Sequence, residues 1–121
     1  MIAEAFIARD GCVLMVKERV DRGDIVWSFP GGSVNEDETP EQACARETQE
    51  ETGYEIRVTR LLREEDGRYT YLAEITGGEL CLEEGIMESA WVSLNDGDKF
   101  DAVTAPVLSA YLTHTRSPYQ P

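Results

Sequence analysis

The stretch from Thr39 to Gly53 constrains this chain more than any other. Thr39 is followed at once by Pro40 and, three residues on, by Gln42. A Thr-x-x-Gln capping box with proline in the first helical position starts a helix. Gly53 supplies the residue that stops one in the left-handed conformation. The spacing therefore predicts a helix between these two signals. At about 100° per residue, Glu50 falls about 60° to one side of Glu47 and Glu51 about 40° to the other. Three carboxylates thus share one face. Ala43 and Cys44 lie in the same half, whereas Glu41, Gln42, Ala45, Gln49 and Thr52 lie opposite. The acids are expected to border the inward side of the helix. Like charges at these spacings repel weakly when exposed and strongly when partly buried. Arg46 can pair with Glu50 one turn on, but one guanidinium does not neutralise three acids. A divalent cation would, because carboxylates are hard oxygen ligands of the kind Mg²⁺ and Mn²⁺ take. A solvated acidic face with no chemistry is the alternative.

Around this helix the pattern is mostly strand. Ile2 to Arg9 and Cys12 to Arg19 are apolar runs joined by Asp10-Gly11, a hairpin signal. Both are apolar on both faces, so both should be covered on each side. "IVWSF" reads as a third strand halted by Pro30-Gly31-Gly32. "EIRVTRLL", "GRYTYLAEI" and "AWVSL" are strand-like, and "ELCLEEGIMES" fits neither pattern. A last helix is expected near Thr104, with Pro106 in its first turn and Val103 and Leu108 placed as a hydrophobic staple. Val107, Leu108, Tyr111 and Leu112 would be its buried stripe. Residues 116–121 should be frayed. Strands and helices alternate without a regular βαβ rhythm, which favours an α+β fold with a mixed β-sheet between helices. The 121 residues suit one domain.

Eleven Lys and Arg stand against 24 Asp and Glu, a formal net charge of -13. Such a balance argues against a nucleic-acid duplex or an anionic membrane as partner, since both need a basic face. It is compatible with a phosphorylated small molecule if a cation lies between the two negative partners. Cys12, Cys44 and Cys81 are an odd number without metal-site spacing, and each sits among apolar or small residues. They read as buried free thiols in a reducing compartment. The opening "MIAEAFIARDG" has no basic leader and carries Glu4 within its apolar run, and no run approaches the ~20 apolar residues of a membrane span. A cytoplasmic protein is expected.

From Gly32 onward the chain reads Gly, five residues, Glu38, seven residues, Arg46-Glu47, then Glu50, Glu51 and Gly53. This resembles the signature box of the Nudix hydrolases at every polar and glycine position. Thr48 and Tyr54 stand where that family prefers aliphatic residues, and both can still pack. The "W-x-F-PGG" lead-in and the strand order extend the likeness to nearly the whole chain. The resemblance implies an α/β/α sandwich and metal-dependent hydrolysis of a nucleoside diphosphate linked to another moiety. It implies that Glu47, Glu50 and Glu51, with a backbone carbonyl of Gly31 or Gly32, hold Mg²⁺ or Mn²⁺. It further implies that Arg46 and Glu38 form a supporting pair that fixes Glu47. Pyrophosphate hydrolysis needs charge neutralisation on non-bridging oxygens and an aligned water, and glycines at 31 and 32 let backbone approach both. A general base comes from the box or from a later loop. Glu83, Glu84 and Glu88 are the loop candidates, with Glu84 and Glu88 preferred.

For the substrate, Lys17 and Arg19 at the end of the second strand are candidates to meet phosphates. Trp27 is a candidate to stack on a base, with Tyr69, Tyr71 and Trp91 behind it as residues that also suit a core. His114 reads as a helix-end charge partner. Mutator-type relatives read oxidised purines with an asparagine just before the last helix. Here Thr104 stands about there, and its hydroxyl lacks the paired donor and acceptor of an amide. The expected function is thus pyrophosphohydrolysis of a small nucleotide such as a nucleoside triphosphate. The alternative is a Nudix-fold module that binds a nucleotide without cleaving it. A monomer and a homodimer are both compatible with the sequence.

Overall fold

The computed structural model describes residues 1–20 and 22–115; the tail expected to fray, 116–121, lies outside the described residues. In chain order the elements are β1 (Ile2–Phe6), β2 (Ala8–Arg9), β3 (Cys12–Arg19), β4 (Ile25–Ser28), β5 (Gly31–Ser33), α1 (Pro40–Thr52), β6 (Tyr54–Glu65), β7 (Arg68–Gly78), β8 (Ile86–Ser93) and α2 (Ala105–Thr115). A short 3-10 turn, Gly97–Lys99, precedes α2.

The predicted Asp10-Gly11 turn forms with both residues left-handed, at φ 52° and 77°, the geometry that matches strand twist in a two-residue hairpin. One sheet has the order β5-β1-β7-β6. β1 runs parallel to β7 and antiparallel to β5, and β7 is antiparallel to β6. In the other, β3 pairs antiparallel with β2, β4 and β8. The first sheet is therefore mixed and the second antiparallel, with α1 packed on one side of the strands and α2 on the other. On the α1 side, Ala3, Ala5 and Tyr71 pack with Ala43 and Cys44 of the helix. On the other, Phe6, Met15 and Val92 pack with Val107 of α2, and the Phe6 and Tyr111 rings stack at 4.5 Å. Small residues on β1 and α1 let helix and sheet approach closely.

Five expectations change. The Gly31-Gly32 turn is itself a strand, β5, paired with β1 in the register Glu4↔Gly31 and Ala3↔Gly32. A Cβ on Gly31 would sit 2.5 Å from Glu4 Cα, so only glycine allows this pairing. Thr52 is buried, not outward. Its hydroxyl donates to Thr48 O and accepts from Tyr54 N–H, because β6 and the loop after β7 close over the end of α1. In α2, Leu112 is 40% exposed and falls outside the buried stripe, while Val103 is 54% exposed and is no staple. Cys81 is exposed in the loop before β8; Cys44 is buried and Cys12 half-buried, and all three are free thiols.

β6 is the outer strand of its sheet. It follows β7 through three register shifts, at Glu55/Ile56, Val58/Arg60 and Leu61/Arg63.

Candidate active site

The helix that carries the acids is built as the sequence indicates. Thr39 Oγ1 accepts from Gln42 N–H at 3.2 Å, and Gln42 Oε1 accepts from Thr39 N–H at 2.9 Å. Gly53, at φ 82°, donates its N–H to Gln49 O at 2.8 Å. The three acids are graded in burial. Glu51 is buried, Glu47 lies at the border with 19% of its side chain exposed, and Glu50 stands outward at 47%.

Arg46 holds this face together. Its Nε and Nη2 donate to Glu38 Oε2 and Oε1 at 2.9 and 2.5 Å, a two-pronged pair of the kind a planar guanidinium forms with carboxylates. Nη1 donates to Glu47 Oε1 at 2.9 Å and to Glu50 Oε2 at 3.1 Å, and Nη2 reaches Ser33 O. Hydrogen bonds from Arg46, then from the Asn35 N–H, hold the Glu38 carboxyl down at about 2.

The turn and the helix meet at the carboxylates. Gly31 N–H donates to Glu51 Oε1 at 2.9 Å, and a Cβ on Gly32 would collide with the Glu47 carboxyl group. Burial pushes the Glu51 carboxyl up to about 8; the Gly31 N–H opposes this, and the charges of Glu18, Glu47 and Glu83 add to it. Glu83 is brought near by a strap. Cys81 N–H donates to Thr52 O, and Glu83 N–H to Glu51 O, which pins the loop after β7 to the last turn of α1. Glu84 is exposed in that loop, and Glu88 on β8 pairs with Lys17 at 3.7 Å. Of the three loop acids, Glu83 is therefore the one that faces the cluster.

A cleft of ≈ 270 Å³ opens beside Gly31 and Gly32, walled by Trp27, Phe29, Glu18, Arg68 and Asp101. Trp27 is one of these walls and also packs against the core under α2, while Tyr69, Tyr71 and Trp91 pack with the core under α1. Lys17 and Arg19 do not line this cleft. Lys17 lies 5.9 Å over the Trp27 ring, and Arg19 Nη1 donates to Gly23 O. Between them, Glu18 lines the cleft. Sequence reasoning also passed over Glu4, in the middle of β1 at 3% exposure. Its net pKa lies above the usual carboxylate value because burial outweighs the pull of Arg68 and Thr70. A charged residue inside an apolar strand was the available signal.

A family model described as NUDIX domain matches residues 3–111. The chain belongs to the Nudix family. Among solved structures, a Nudix hydrolase from Nitrosomonas europaea superposes with a TM-score of 0.83 over 98% of this chain and 91% of that one, at 24% identity; that likeness speaks for the fold. An ADP-ribose pyrophosphatase from Methanocaldococcus jannaschii is 27% identical over 119 residues, 90% of this chain and 70% of its own. A protein named as a Nudix hydrolase from Caenorhabditis elegans is 35% identical over 106 residues, 78% of this chain but 29% of its own. The chain spans less than half the length of some curated relatives it matches.

Glu47, Glu50 and Glu51 and the carbonyls of Gly31 and Gly32 offer oxygen donors, the chemistry a hard divalent cation requires. The crowding of Glu18, Glu47 and Glu83 around a buried Glu51 leaves negative charge that such a cation would offset, and Gly31 and Gly32 keep the approach clear of side chains. The residues fit the group. Among the described residues, no group of three His, Cys, Asp or Glu side chains is already set to hold a metal ion; Arg46 engages Glu47 and Glu50.

Proposed function

We propose that this Nudix domain is a pyrophosphohydrolase dependent on Mg²⁺ or Mn²⁺, cleaving a small nucleotide in which a nucleoside diphosphate is linked to a further group. The observation that carries the proposal is the meeting of Glu51 with the Gly31 N–H beside a cleft walled by aromatic residues. A base seated in the cleft would lay its phosphates along Gly31-Gly32 toward the acids. Glu47, Glu50 and Glu51, with a carbonyl of Gly31 or Gly32, would hold the cation. Bound there, it would supply charge neutralisation on the phosphate oxygens and acidify a water. The protein's own part is arrangement. Arg46 and Glu38 fix the Glu47 rotamer, and Glu50 must leave Arg46 to serve as a ligand. Glu83, strapped against the end of α1, is the loop acid best placed to accept the water's proton. We place the protein in the cytoplasm, supported by its three free thiols; among the described residues no helix is long and apolar enough to cross a membrane.

Release of phosphate or pyrophosphate from a panel of nucleoside triphosphates, nucleotide sugars, ADP-ribose and dinucleoside polyphosphates, with Mg²⁺ and with Mn²⁺, tests the proposal. Turnover of at least one substrate, abolished by chelation, is expected. Tight nucleotide binding without any release would make the domain a sensor instead.

A further inference from the structure

Glu4 takes no part in the acid cluster on α1, yet it is buried at the centre of the sheet. A buried carboxylate is unfavourable unless it is paired and hydrogen-bonded, so a strand with only packing to do would carry an aliphatic residue here. Parallel pairing in the register Ile2↔Arg68 and Glu4↔Thr70 puts these side chains on one face. Thr70 Oγ1 donates to Glu4 Oε2 at 2.8 Å, and Arg68 Nη1 donates to Glu4 Oε1 at 2.5 Å. Glu4 engages one guanidinium nitrogen only. The rest of Arg68, with 41% of its side chain exposed, forms part of the cleft wall.

We propose that Arg68, positioned by Glu4 and Thr70, reads the base of the nucleotide and selects 6-oxopurines, guanine or hypoxanthine, over adenine. This rests on the cleft being a nucleotide site, as proposed above. Glu4 already balances the charge of Arg68, which makes it a weak counterion for phosphate but leaves its directional donors intact. A guanidinium matches two adjacent acceptors in one plane. Guanine offers O6 and N7 side by side, whereas adenine sets an amino donor beside N7. The opposite edge of guanine carries donors at N1 and N2, and the cleft supplies acceptors in the Glu18 carboxylate and in Asp101 Oδ2, Oδ1 being taken by Val103 and Thr104. 8-Oxoguanine has a hydrogen on N7 and loses the match.

Calorimetric titration of the Mg²⁺-loaded protein with GDP and with ADP, run beside GTP and ATP hydrolysis, tests the assignment. The wild type should favour the guanine nucleotide by about tenfold or more. Arg68→Lys, which keeps a cation over Glu4, and Arg68→Gln should both bring the ratio close to one. The change should appear in KM, with kcat retained and melting temperatures confirming the fold. Glu4→Gln should lower the ratio part of the way. Equal wild-type affinities, a preference for ADP, or a guanine preference that survives Arg68→Lys would overturn the inference. Absence of turnover with the binding ratio intact would remove the hydrolase proposal and leave Arg68 as the base reader. Absence of binding by either nucleotide would remove both.

Discussion

Glu51 concentrates the electrostatic demand of the site. Its carboxyl, ordinarily ionised well below neutrality, is pushed up to about 8 chiefly by burial. Between the unfolded value of 4.5 and this folded value the native state holds the extra proton. The cation-free protein therefore loses stability as pH rises through that window. Chelated samples melted across the range should show a falling melting temperature, and Glu51→Gln should flatten the slope. The same substitution removes a cation ligand and should lower kcat by orders of magnitude with no loss in melting temperature. Glu38 has the opposite sign. Its depressed value means that the stability it contributes is present above 4.5 and lost as pH falls toward about 2, so Glu38→Gln should lessen acid sensitivity below pH 4.5. The acid trio was legible in the sequence because helical periodicity alone places Glu47, Glu50 and Glu51 together. The role of Glu4 was not: a charge within an apolar strand could be seen, but its partners Arg68 and Thr70 lie 64 and 66 residues away and no local pattern joins them. Lys17 and Arg19 illustrate a smaller gap: their charge was visible, but the face of β3 they occupy depends on pairing with β4 and β8.

At the level of elements, two adjacent glycines have different duties. A methyl group on Gly31 meets the backbone of Ala3 and Glu4, which cannot yield without opening β1 from β5. A methyl group on Gly32 meets the end of the Glu47 side chain, which can swing away. Gly31→Ala should therefore fail to fold stably. Gly32→Ala should melt close to wild type and yet lose most of its turnover, a contrast that paired melting and rate measurements would resolve. Thr39→Ala removes the cap of α1 and should lower stability by about 1 kcal/mol in a denaturant titration. The boundaries of α1 could be read because Thr39, Pro40, Gln42 and Gly53 act locally. β5 could not: nothing in Gly-Gly-Ser signals a strand, and its pairing is decided by how closely the backbone of β1 can approach. The loop from Glu79 to Gly85 was equally opaque, since its placement depends on two hydrogen bonds to the far end of α1.

Across the whole molecule, a formal charge of -13 and a cluster of acids beside one cleft favour cation uptake. Adding Mg²⁺ or Mn²⁺ to the chelated protein should raise its melting temperature, and more so at pH 8 than at pH 5, because protons compete for the same carboxylates. A melting temperature indifferent to both metals at pH 8 would contradict the proposed site. The layered arrangement was foreseeable from strand and helix order; the division of β3 among three partners was not, because hairpin signals do not tell which distant strand closes the second edge.

The crimped course of β6 along β7 has an effect beyond this site. A straight outer strand exposes an even row of peptide groups on which another extended chain can zip up. Here the row is broken at three points and flanked by Glu55, Arg57 and Arg60. A neighbour laid along this rim would fall out of step after every few residues, which guards a crowded solution against ribbon-to-ribbon clumping.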